Sequence, residues 1–480
     1  CIPATGANME QLKFLSNEDI QAMHEATLQV MSEVGVIWTH KPSLDILTDA
    51  GCTAKGNRVY YPPELVMDSI AKANKRPCIR GRNGQVNTLG DGNVYFHNLG
   101  GARDVFDAST GTRRIATEQD VIDATRLLDA LNHAHTITPF FTPRDVPGEL
   151  MSLVMYRHCL PHTTKPLQGP GIQFAEEVKY AVEMAQVVGT PPEELTLSLS
   201  PVSPLTIHDP AAAAIVEMAK AGVICANLPA PTGGATSPMT IAGSLVQQSA
   251  ETLALLVLAQ IVNPGCGVVY CGRLGMLEPR TGLIWGGVEL GLSSAATVQL
   301  GHYYGFSVNV YGFSTNAHTL DAQNAFERGL NATIPALAGA DELSGIGEME
   351  AGVMGSYAQM VLDNELAGSV LRLRRGLSVD VEHMAVEIIG NVMNGTRNFL
   401  GQKHTLKHLR AGEVALTKLA ERNSWDTWEE KLGRKQMADH AVEEAERILR
   451  EHIVPPLDPQ QEKELDRIMA AAEQEMVKKK

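Results

Sequence analysis

Aromatic side chains are scarce in this sequence, and a third of them lie at the ends of short apolar runs or in the longest loop between such runs. The chain has 10 Phe, 10 Tyr and 4 Trp among 480 residues. The clustered rings are Tyr95, Phe96, Phe140, Phe141, Tyr270, Trp285, Tyr311 and Phe313. Ring faces bind quaternary ammonium groups well, although one such ring alone is most often part of a core. The sequence therefore predicts a box for a methylated cation. Its predicted members are Tyr95, Phe141, Tyr311 and Phe313, with Tyr270 as a further contact.

Polar side chains occur at the same level of the predicted strands. A guanidinium or imidazole group facing an aromatic box would suit a zwitterion that carries a carboxylate. We therefore predict that Arg273, His97 and His318 bind a carboxylate. Asn309 and Glu348 are predicted as additional polar contacts of the substrate.

Other chemistries find weaker support in the sequence. His133 and His135 could form part of a metal site, but no third ligand follows at a suitable spacing. No G-x-S-x-G nucleophile motif is present, and Cys271 near a strand end is more typical of a small buried side chain. Lys165 is the one lysine close to a strand end, and Pro166 beside it disfavours a Schiff-base role. We therefore predict no metal ligand and no residue of covalent or acid–base catalysis.

The elements that would position these residues alternate between short apolar strands and longer helices. This alternation is typical of βαβ units and a parallel sheet, and eight strands are the number that closes a TIM barrel. No dinucleotide fingerprint or P-loop follows an early strand, and the segments after the strands are long while those before them are short. The predicted fold class is thus an α/β TIM barrel with additional helices. The predicted strands are 94–97, 136–141, 165–168, 195–200, 223–227, 267–273, 307–311 and 342–347.

The remaining sequence forms extensions at both ends of the barrel. We predict an N-terminal helical and β extension at 9–93, a catalytic barrel at 94–376 and C-terminal helices at 377–480. The residues before Met9, which we interpret as a natural start, are set aside. The predicted C-terminal helices are 380–394, 403–422 and one or more within 424–480. They could form a partner-docking surface or a subunit interface, and the sequence does not separate these alternatives.

The overall composition narrows the classes of partner and the cellular location. The net charge of −15 disfavours binding to nucleic acid or an anionic membrane through bulk charge. The sequence contains no run of about 18 uncharged apolar residues, so it predicts no membrane span. The seven cysteines form no C-x-x-C pair and are typical of reduced thiols, so we predict a cytoplasmic protein.

Several motifs are shared with a known family of enzymes. They are 100–103 (GGAR), 112–117 (TRRIAT), 321–323 (DAQ), 339–352 (GADELSGIGEMEAG), 359–365 (QMVLDNE), 404–410 (HTLKHLR) and Trp428. With these motifs the sequence resembles the trimethylamine methyltransferase family from Met9 to about Pro455. The resemblance implies a TIM barrel that transfers a methyl group from an amine to the cobalt of a separate corrinoid protein. It implies no cofactor bound permanently by this chain.

One departure from the family pattern bears on the substrate. The archaeal trimethylamine enzymes carry pyrrolysine in a barrel-mouth loop that aligns with 314–323, where this sequence has ordinary residues. Members without pyrrolysine resemble quaternary amine methyltransferases. The resemblance therefore implies transfer from a quaternary amine, foremost glycine betaine, to Co(I) of a cognate corrinoid protein, leaving dimethylglycine.

Other functions remain open from the sequence alone. Proline betaine or carnitine could replace glycine betaine as the substrate, because spacing does not give the volume of the pocket. A betaine-binding barrel without catalysis and an unrelated barrel lyase or aldolase are further alternatives. A homo-oligomer is the expected state, since closed symmetric oligomers are common among such proteins.

Overall fold

The computed structural model describes residues 11–478, with the side chain of Trp285 excepted, so the assignment of residues 1–8 lies outside it. Its centre is a six-stranded parallel sheet. The strands are Tyr95–Asn98, Thr196–Leu199, Ile224–Asn227, Val268–Gly272, Val308–Tyr311 and Glu342–Ile346. The first of these strands pairs with the last, and the second to the sixth pair with one another in chain order. The first and the second strand do not pair with each other, so the sheet is open between them.

Isolated bridges close this sheet into a ring. His97 pairs in parallel with Thr136, Ile137 with Leu167, and Gly171 with Ser198. Thr136, Ile137 and Leu167 fall within the two predicted strands that the sheet lacks, and Gly171 lies three residues beyond the second of them. We number the eight strands of the ring barrel strands 1 to 8 in chain order. The predicted TIM-barrel fold is thereby confirmed, because a complete cycle of neighbours joins strand 1 to strand 8.

A helix follows each barrel strand in the described part of the chain and packs on the outside of the ring. These helices are Glu118–Ala130, Met151–His162, Ala175–Val187, Asp209–Ala221, Ile241–Val262, Val288–Tyr303, Ala322–Leu337 and Tyr357–Arg375. Their apolar faces and the outward faces of the strands form the main hydrophobic core. Among the described residues, one helix, Ile241–Val262, is long and apolar enough to cross a membrane by length and composition. The structure buries 78% of its most apolar window, as expected of a helix packed on several sides.

The N-terminal extension wraps the barrel and closes one of its ends. Its elements are the helix Asn17–Gln29 continued by the π-turn Val30–Val34, strand Val36–Trp38, helix Lys41–Asp49, strands Thr53–Lys55 and Arg58–Tyr60, helix Pro63–Lys72, and hairpin strands Cys78–Arg80 and Val86–Thr88. Ile79 and Leu89 pack against Ile224 and Val269 inside the barrel. The hairpin therefore plugs the amino-terminal end of the strands and leaves the carboxyl-terminal end for a site.

Short strands in the loops frame that carboxyl-terminal end, which we call the mouth. After barrel strand 1 the hairpin Asp104–Asp107 and Thr112–Ile115 pairs with Met354–Gly355, which in turn pairs with Glu348–Met349. After strands 5 and 6, Thr232–Gly233, Gly275–Leu277 and Ile284–Trp285 form a second small sheet. A third pairing joins Thr206–Ile207, after strand 4, to the N-terminal extension. The long loops predicted at the mouth thus hold one another in place through backbone hydrogen bonds.

The C-terminal region is more broken than the sequence predicted. Its helices are Val381–Met384, Val386–Met393, Lys403–Arg410, Trp425–Glu430, Met437–Glu451 and Pro459–Met476. The predicted helix 403–422 is wrong beyond Arg410, because Gly412 adopts a positive φ of 80° that ends it. The division at 93 and 376 remains a prediction, since both extensions pack directly on the barrel helices.

Candidate active site

Four polar side chains meet inside the barrel near its mouth. Asn309 donates from Nδ2 to Oε2 of Glu342 at 2.7 Å and to Nε2 of His97 at 2.9 Å. Gln168 donates from Nε2 to Oε1 of Glu342 at 3.2 Å. These residues come from barrel strands 1, 3, 7 and 8, so the network crosses the ring rather than running along one edge.

His97 acts in this network as a neutral hydrogen-bond acceptor. Its Nδ1 lies 2.8 Å from the carbonyl oxygen of Asn98, which can only accept, so the ring proton belongs on Nδ1. Nε2 is then free to accept from Asn309. Burial lowers the pKa of His97 to about 3, and the charge of Arg273 adds to this effect. At neutral pH His97 therefore positions Asn309, and it carries no positive charge with which to bind a carboxylate.

Arg273 reaches the same network from the end of barrel strand 6. Its Nη1 donates to the carbonyl oxygens of Gly272 and Asn309 at 3.0 Å each, and its Nη2 donates to Oδ1 of Asn309 at 2.5 Å. The guanidinium carbon lies 4.7 Å from the ring centroid of Tyr311, a cation–π arrangement. Since a guanidinium has five N–H donors, Nε–H and one Nη2 hydrogen have no partner among the described residues.

Glu342 and Glu348 bring two buried carboxyl groups to this region. Burial raises the pKa of Glu342 to about 7, against the hydrogen bond from Asn309 and the charge of Arg273. Burial likewise raises the pKa of Glu348 to about 7, against the influence of Ser314 and Arg328. Neither oxygen of Glu348 makes a hydrogen bond of standard geometry within the described residues, although the Ser314 hydroxyl is close enough to stabilise its charge. A buried carboxyl group without such a hydrogen bond is a frequent mark of a functional site.

We expect Glu348→Gln to stabilise the protein above neutral pH. A carboxyl group whose pKa rises from 4.5 to about 7 on folding binds its proton more tightly in the folded state. The stability it contributes is therefore present below about pH 4.5 and is lost as the pH rises to about 7, by roughly 3 kcal/mol. The variant should unfold at higher urea concentration at about pH 8 and show a flatter dependence on pH. Glu193→Gln, at an exposed position, is the control, and equal changes in both variants would contradict the expectation.

A buried ion pair holds the two loops that flank Glu348. Arg328 is 2% exposed and donates from Nη1 to Oδ2 of Asp363, which is 1% exposed, at 2.9 Å. The same Nη1 donates to the carbonyl oxygen of Phe313 at 2.5 Å, and the backbone N–H of Gly347 donates to Oδ2 of Asp363 at 2.7 Å. Gly347 has a φ of 86°, which glycine adopts without strain. The pair thus connects the loop after strand 7 to the turn that carries Glu348.

Two of the predicted site residues lie away from the mouth. The hydroxyl of Tyr95 donates to Asp91, which precedes barrel strand 1, and its ring packs with the cluster that contains Ile79. Tyr95 therefore lies at the plugged end of the barrel. Tyr270 lies on the outer face of strand 6, where its hydroxyl is 2.7 Å from that of Ser249 on the helix Ile241–Val262. Neither ring reaches Arg273 or Glu348.

Two further predicted rings are fully buried against other rings. Phe141 packs at 4.5 Å between ring centroids on Phe140 and at 5.9 Å on Tyr357. Phe313 packs at 5.5 Å on Phe96, on the outer face of strand 1. Of the four predicted box members, the structure brings Tyr311 alone to the polar network, so it does not assemble the predicted four-ring box.

The other predicted residues lie in or near the polar network or on an exposed loop at the mouth. His97, Arg273 and Asn309 are joined by hydrogen bonds, and Glu348 lies near the Tyr311 ring. His318 is 71% exposed on the loop after strand 7, with Nε2 3.6 Å from Glu350. Gln168 and Glu342 belong to the network although the sequence did not indicate them as site residues. Glu342 gave a usable signal, since a charged residue inside a buried parallel strand requires a specific partner.

The residues considered for other chemistries have structural partners. Lys165 donates from Nζ to the backbone oxygens of Leu128 and Ala134, at 3.0 and 2.9 Å, at the end of a helix. Nδ1 of His135 accepts from the backbone N–H of Phe96 at 3.0 Å. Within residues 11–478, no three His, Cys, Asp or Glu side chains are grouped to hold a metal ion. These observations leave the barrel network as the candidate active site.

Comparison with known proteins identifies the family of the chain. A sequence model of the family described as trimethylamine methyltransferase (MTTB) matches residues 2–477. The chain belongs to the trimethylamine methyltransferase family. The trimethylamine methyltransferase MttB of Desulfitobacterium hafniense (strain DSM 10664 / DCB-2) is 31% identical over 454 residues, 92% of this chain and 90% of that protein. A glycine betaine methyltransferase of D. hafniense (strain Y51) is 30% identical over 479 residues, 97% and 98% of the two chains.

Solved structures support the fold of this family member. The monomethylamine methyltransferase MtmB of Methanosarcina barkeri superposes with a TM-score of 0.52 over 94% of this chain and 91% of that one. The sequences are 13% identical, so this likeness concerns the fold alone. Family membership establishes that the chain is a methyltransferase, and the network at the mouth is where its chemistry is to be sought.

Proposed function

We propose that this chain is a quaternary amine methyltransferase that takes a methyl group from glycine betaine and transfers it to a corrinoid protein. One observation carries the proposal: Arg273 presents two N–H groups without a partner among the described residues, next to buried carboxyl groups at the mouth of the barrel. The likeness to a glycine betaine methyltransferase over nearly the whole of both chains supports the same substrate.

Arg273 is the proposed anchor for the carboxylate end of the substrate. Nε–H and the remaining Nη2 hydrogen lie on one edge of the guanidinium, the geometry of a bidentate bond to a carboxylate. The bonds from the other donors to Gly272 and Asn309 fix the orientation of that edge. Asn309 is fixed in turn by Glu342 and His97. The substrate therefore meets an arginine whose orientation is set before binding, which reduces the entropy cost of binding.

The ammonium end of glycine betaine fits the acidic side of the site. One face of the Tyr311 ring carries the Arg273 guanidinium, so the opposite face and the Glu348 carboxyl group are the elements left to attract a cation. A carboxyl group with a pKa of about 7 is half protonated near neutral pH, so it attracts a cation less strongly than a fully ionised one.

The proposed reaction requires the substrate to be positioned and requires no proton transfer by the protein. A quaternary nitrogen carries no proton and no lone pair, and it leaves as a neutral tertiary amine when the methyl group is transferred. A corrinoid held by its own protein would supply the cobalt nucleophile. Both ring nitrogens of His97 are engaged within this chain, so it is not available as a cobalt ligand. The residues of this chain orient the methyl group and exclude water.

The experiment that tests this proposal mixes the protein with a cognate corrinoid protein reduced by a titanium reductant. Adding glycine betaine should produce the absorption of methylcobalt together with an equal amount of dimethylglycine. Proline betaine, carnitine and trimethylamine form the comparison panel, and trimethylamine should give the smallest rate. Binding of a betaine without methylation would indicate a binding protein, and methylation from trimethylamine alone would overturn the proposed substrate.

A further inference from the structure

The part of the C-terminal region at 377–432, which we call the apolar segment, exposes many large hydrophobic side chains. Among the described residues, 31 large hydrophobic side chains are exposed, and 15 of them lie in these 56 residues. They are Leu377, Val379, Val381, Met384, Val386, Ile389, Met393, Phe399, Leu400, Leu406, Leu409, Val414, Leu416, Trp425 and Leu432. An apolar patch of this extent on a protein surface marks an interaction site.

The apolar segment has almost no core of its own. Its helices are four to eight residues long, and of its hydrophobic side chains Val392 and Leu419 are the buried ones. Helices this short are marginal in water unless an apolar face is packed against another surface. The ordering of 377–432 therefore requires apolar burial beyond that provided by one copy of the chain.

A groove in the apolar segment has the shape to receive side chains. It has a volume of about 720 Å³ and lies between the helices Val381–Met384 and Val386–Met393 on one side and Lys403–Arg410 on the other. Val386 and Ile388 contribute to its apolar lining, while Lys407 and Glu382 form an ion pair beside it. The combination of an apolar floor and a charged rim is typical of protein–protein interfaces.

The apolar segment lies at the end of the barrel opposite to the candidate active site. Arg374, near the end of the last barrel helix, donates to the backbone oxygens of Gly92 and Ala340, which precede barrel strands 1 and 8. Arg375 beside it donates to the backbone oxygens of Ala411 and Gly412 in the segment. On the proposed function, a corrinoid must reach the mouth, so a protein that delivers it would not use this surface to do so.

The charge of the apolar segment favours association with an identical surface. It contains seven Lys and Arg and eight Asp and Glu, a net charge of −1, whereas the whole chain carries −15. Two copies can therefore meet here without the repulsion that their other surfaces would cause. Permanent homodimers bury roughly 1,000 Å² or more per partner, most of it apolar, and fifteen large side chains offer area on that scale.

We infer that the apolar segment is the surface through which two copies of this chain associate permanently. A twofold axis would pair the segment with itself, so that the groove of each copy receives apolar side chains of the other. The inference goes beyond the proposed function and uses it only to exclude the corrinoid protein as occupant.

Sedimentation velocity of the full-length chain over a range of protein concentrations tests this inference. The unaltered protein should sediment as a dimer or a larger closed oligomer. Leu400→Glu and Val381→Glu, each at a side chain that is 85% exposed, should raise the dissociation constant by at least about 30-fold. Ile453→Glu, at an 83% exposed side chain outside the segment, is the matched control and should leave the association unchanged.

The outcomes separate this inference from the proposed function, because the mass is measured without substrate. Circular dichroism and thermal unfolding of each variant establish that the barrel has folded. A monomeric unaltered protein at every concentration would overturn the inference, as would dissociation of the Ile453 variant to the same degree. Variants that keep their mass but lose methyl transfer to a corrinoid protein would assign the surface to that partner and would also overturn it.

Discussion

Replacing Arg273 by alanine is expected to lower kcat/KM for glycine betaine by about 100- to 1,000-fold. The substitution removes the two N–H groups proposed to hold the substrate carboxylate, and it also releases Asn309 from its short hydrogen bond. Charge-assisted bidentate bonds are among the strongest that a protein forms. The rate of methylcobalt formation at several substrate concentrations measures the loss and divides it between KM and kcat.

A conservative variant and a substrate without a carboxylate test whether Arg273 acts on the substrate carboxylate. Arg273→Lys keeps the charge but not the planar fork, so it should recover part of the activity. Choline, a quaternary amine without a carboxylate, should be affected far less than glycine betaine by Arg273→Ala. Arg280→Ala alters an exposed arginine in the same loop and should leave both substrates unaffected. An equal loss with glycine betaine and choline would show that Arg273 acts on the fold of the mouth and not on the carboxylate.

The sequence predicts the barrel well because its strands and helices follow simple rules. Each strand is a short apolar run, and each helix between strands has an apolar face at helical spacing. For example, the spacing of apolar residues predicts a helix over 209–221, and the observed helix is Asp209–Ala221, which ends at Gly222 in the left-handed conformation. The breaks after Arg410 and around Pro455 are less evident from periodicity, since the flanking sequence is still rich in helix-forming residues.

The candidate site is less predictable because strand position and side-chain direction both matter. Tyr270 and Arg273 are three residues apart along one strand, so their side chains must point to opposite faces, and one of them is outside the barrel. The alternation of Val269, Cys271 and Arg273 towards the interior shows which one. Tyr95 and His97 do share a face, but Tyr95 lies one layer deeper, at the plugged end. Depth along the strand is set by how the sheet is staggered, which periodicity does not reveal.

Glu342 and Gln168 show a second limit of inference from sequence. Each looks like an isolated polar residue in its own strand, and their partnership arises because strands 3 and 8 face each other across a closed ring. The four predicted rings do not come together for a related reason. Aromatic residues at strand ends can pack outside the barrel, as Phe313 does on Phe96, and their sequence position is the same in either case.

Breaking the buried pair of Arg328 and Asp363 should produce the largest loss of stability among the changes considered. Arg328→Met leaves the Asp363 carboxyl group buried without its cation, and such losses cost about 3–5 kcal/mol. The variant should also transfer methyl groups more slowly where it is folded, because Phe313 and Gly347 lose the cross-link that orders the loops beside Glu348. Urea unfolding gives the free energy, and activity measured well below the transition isolates the effect on the site.

A double-mutant cycle tests whether the loss of stability comes from the interaction between Arg328 and Asp363. Asp363→Asn should also destabilise the protein, and Arg328→Met with Asp363→Asn should cost less than the sum of the two single changes. Asparagine keeps an acceptor for the Gly347 N–H, so part of the loop order should return in the double variant. Arg467→Ala removes an exposed pair with Glu464 and should leave the free energy of unfolding nearly unchanged. Additive single effects would mean that Arg328 and Asp363 stabilise their loops independently, and the two loops would then not be coupled through this pair.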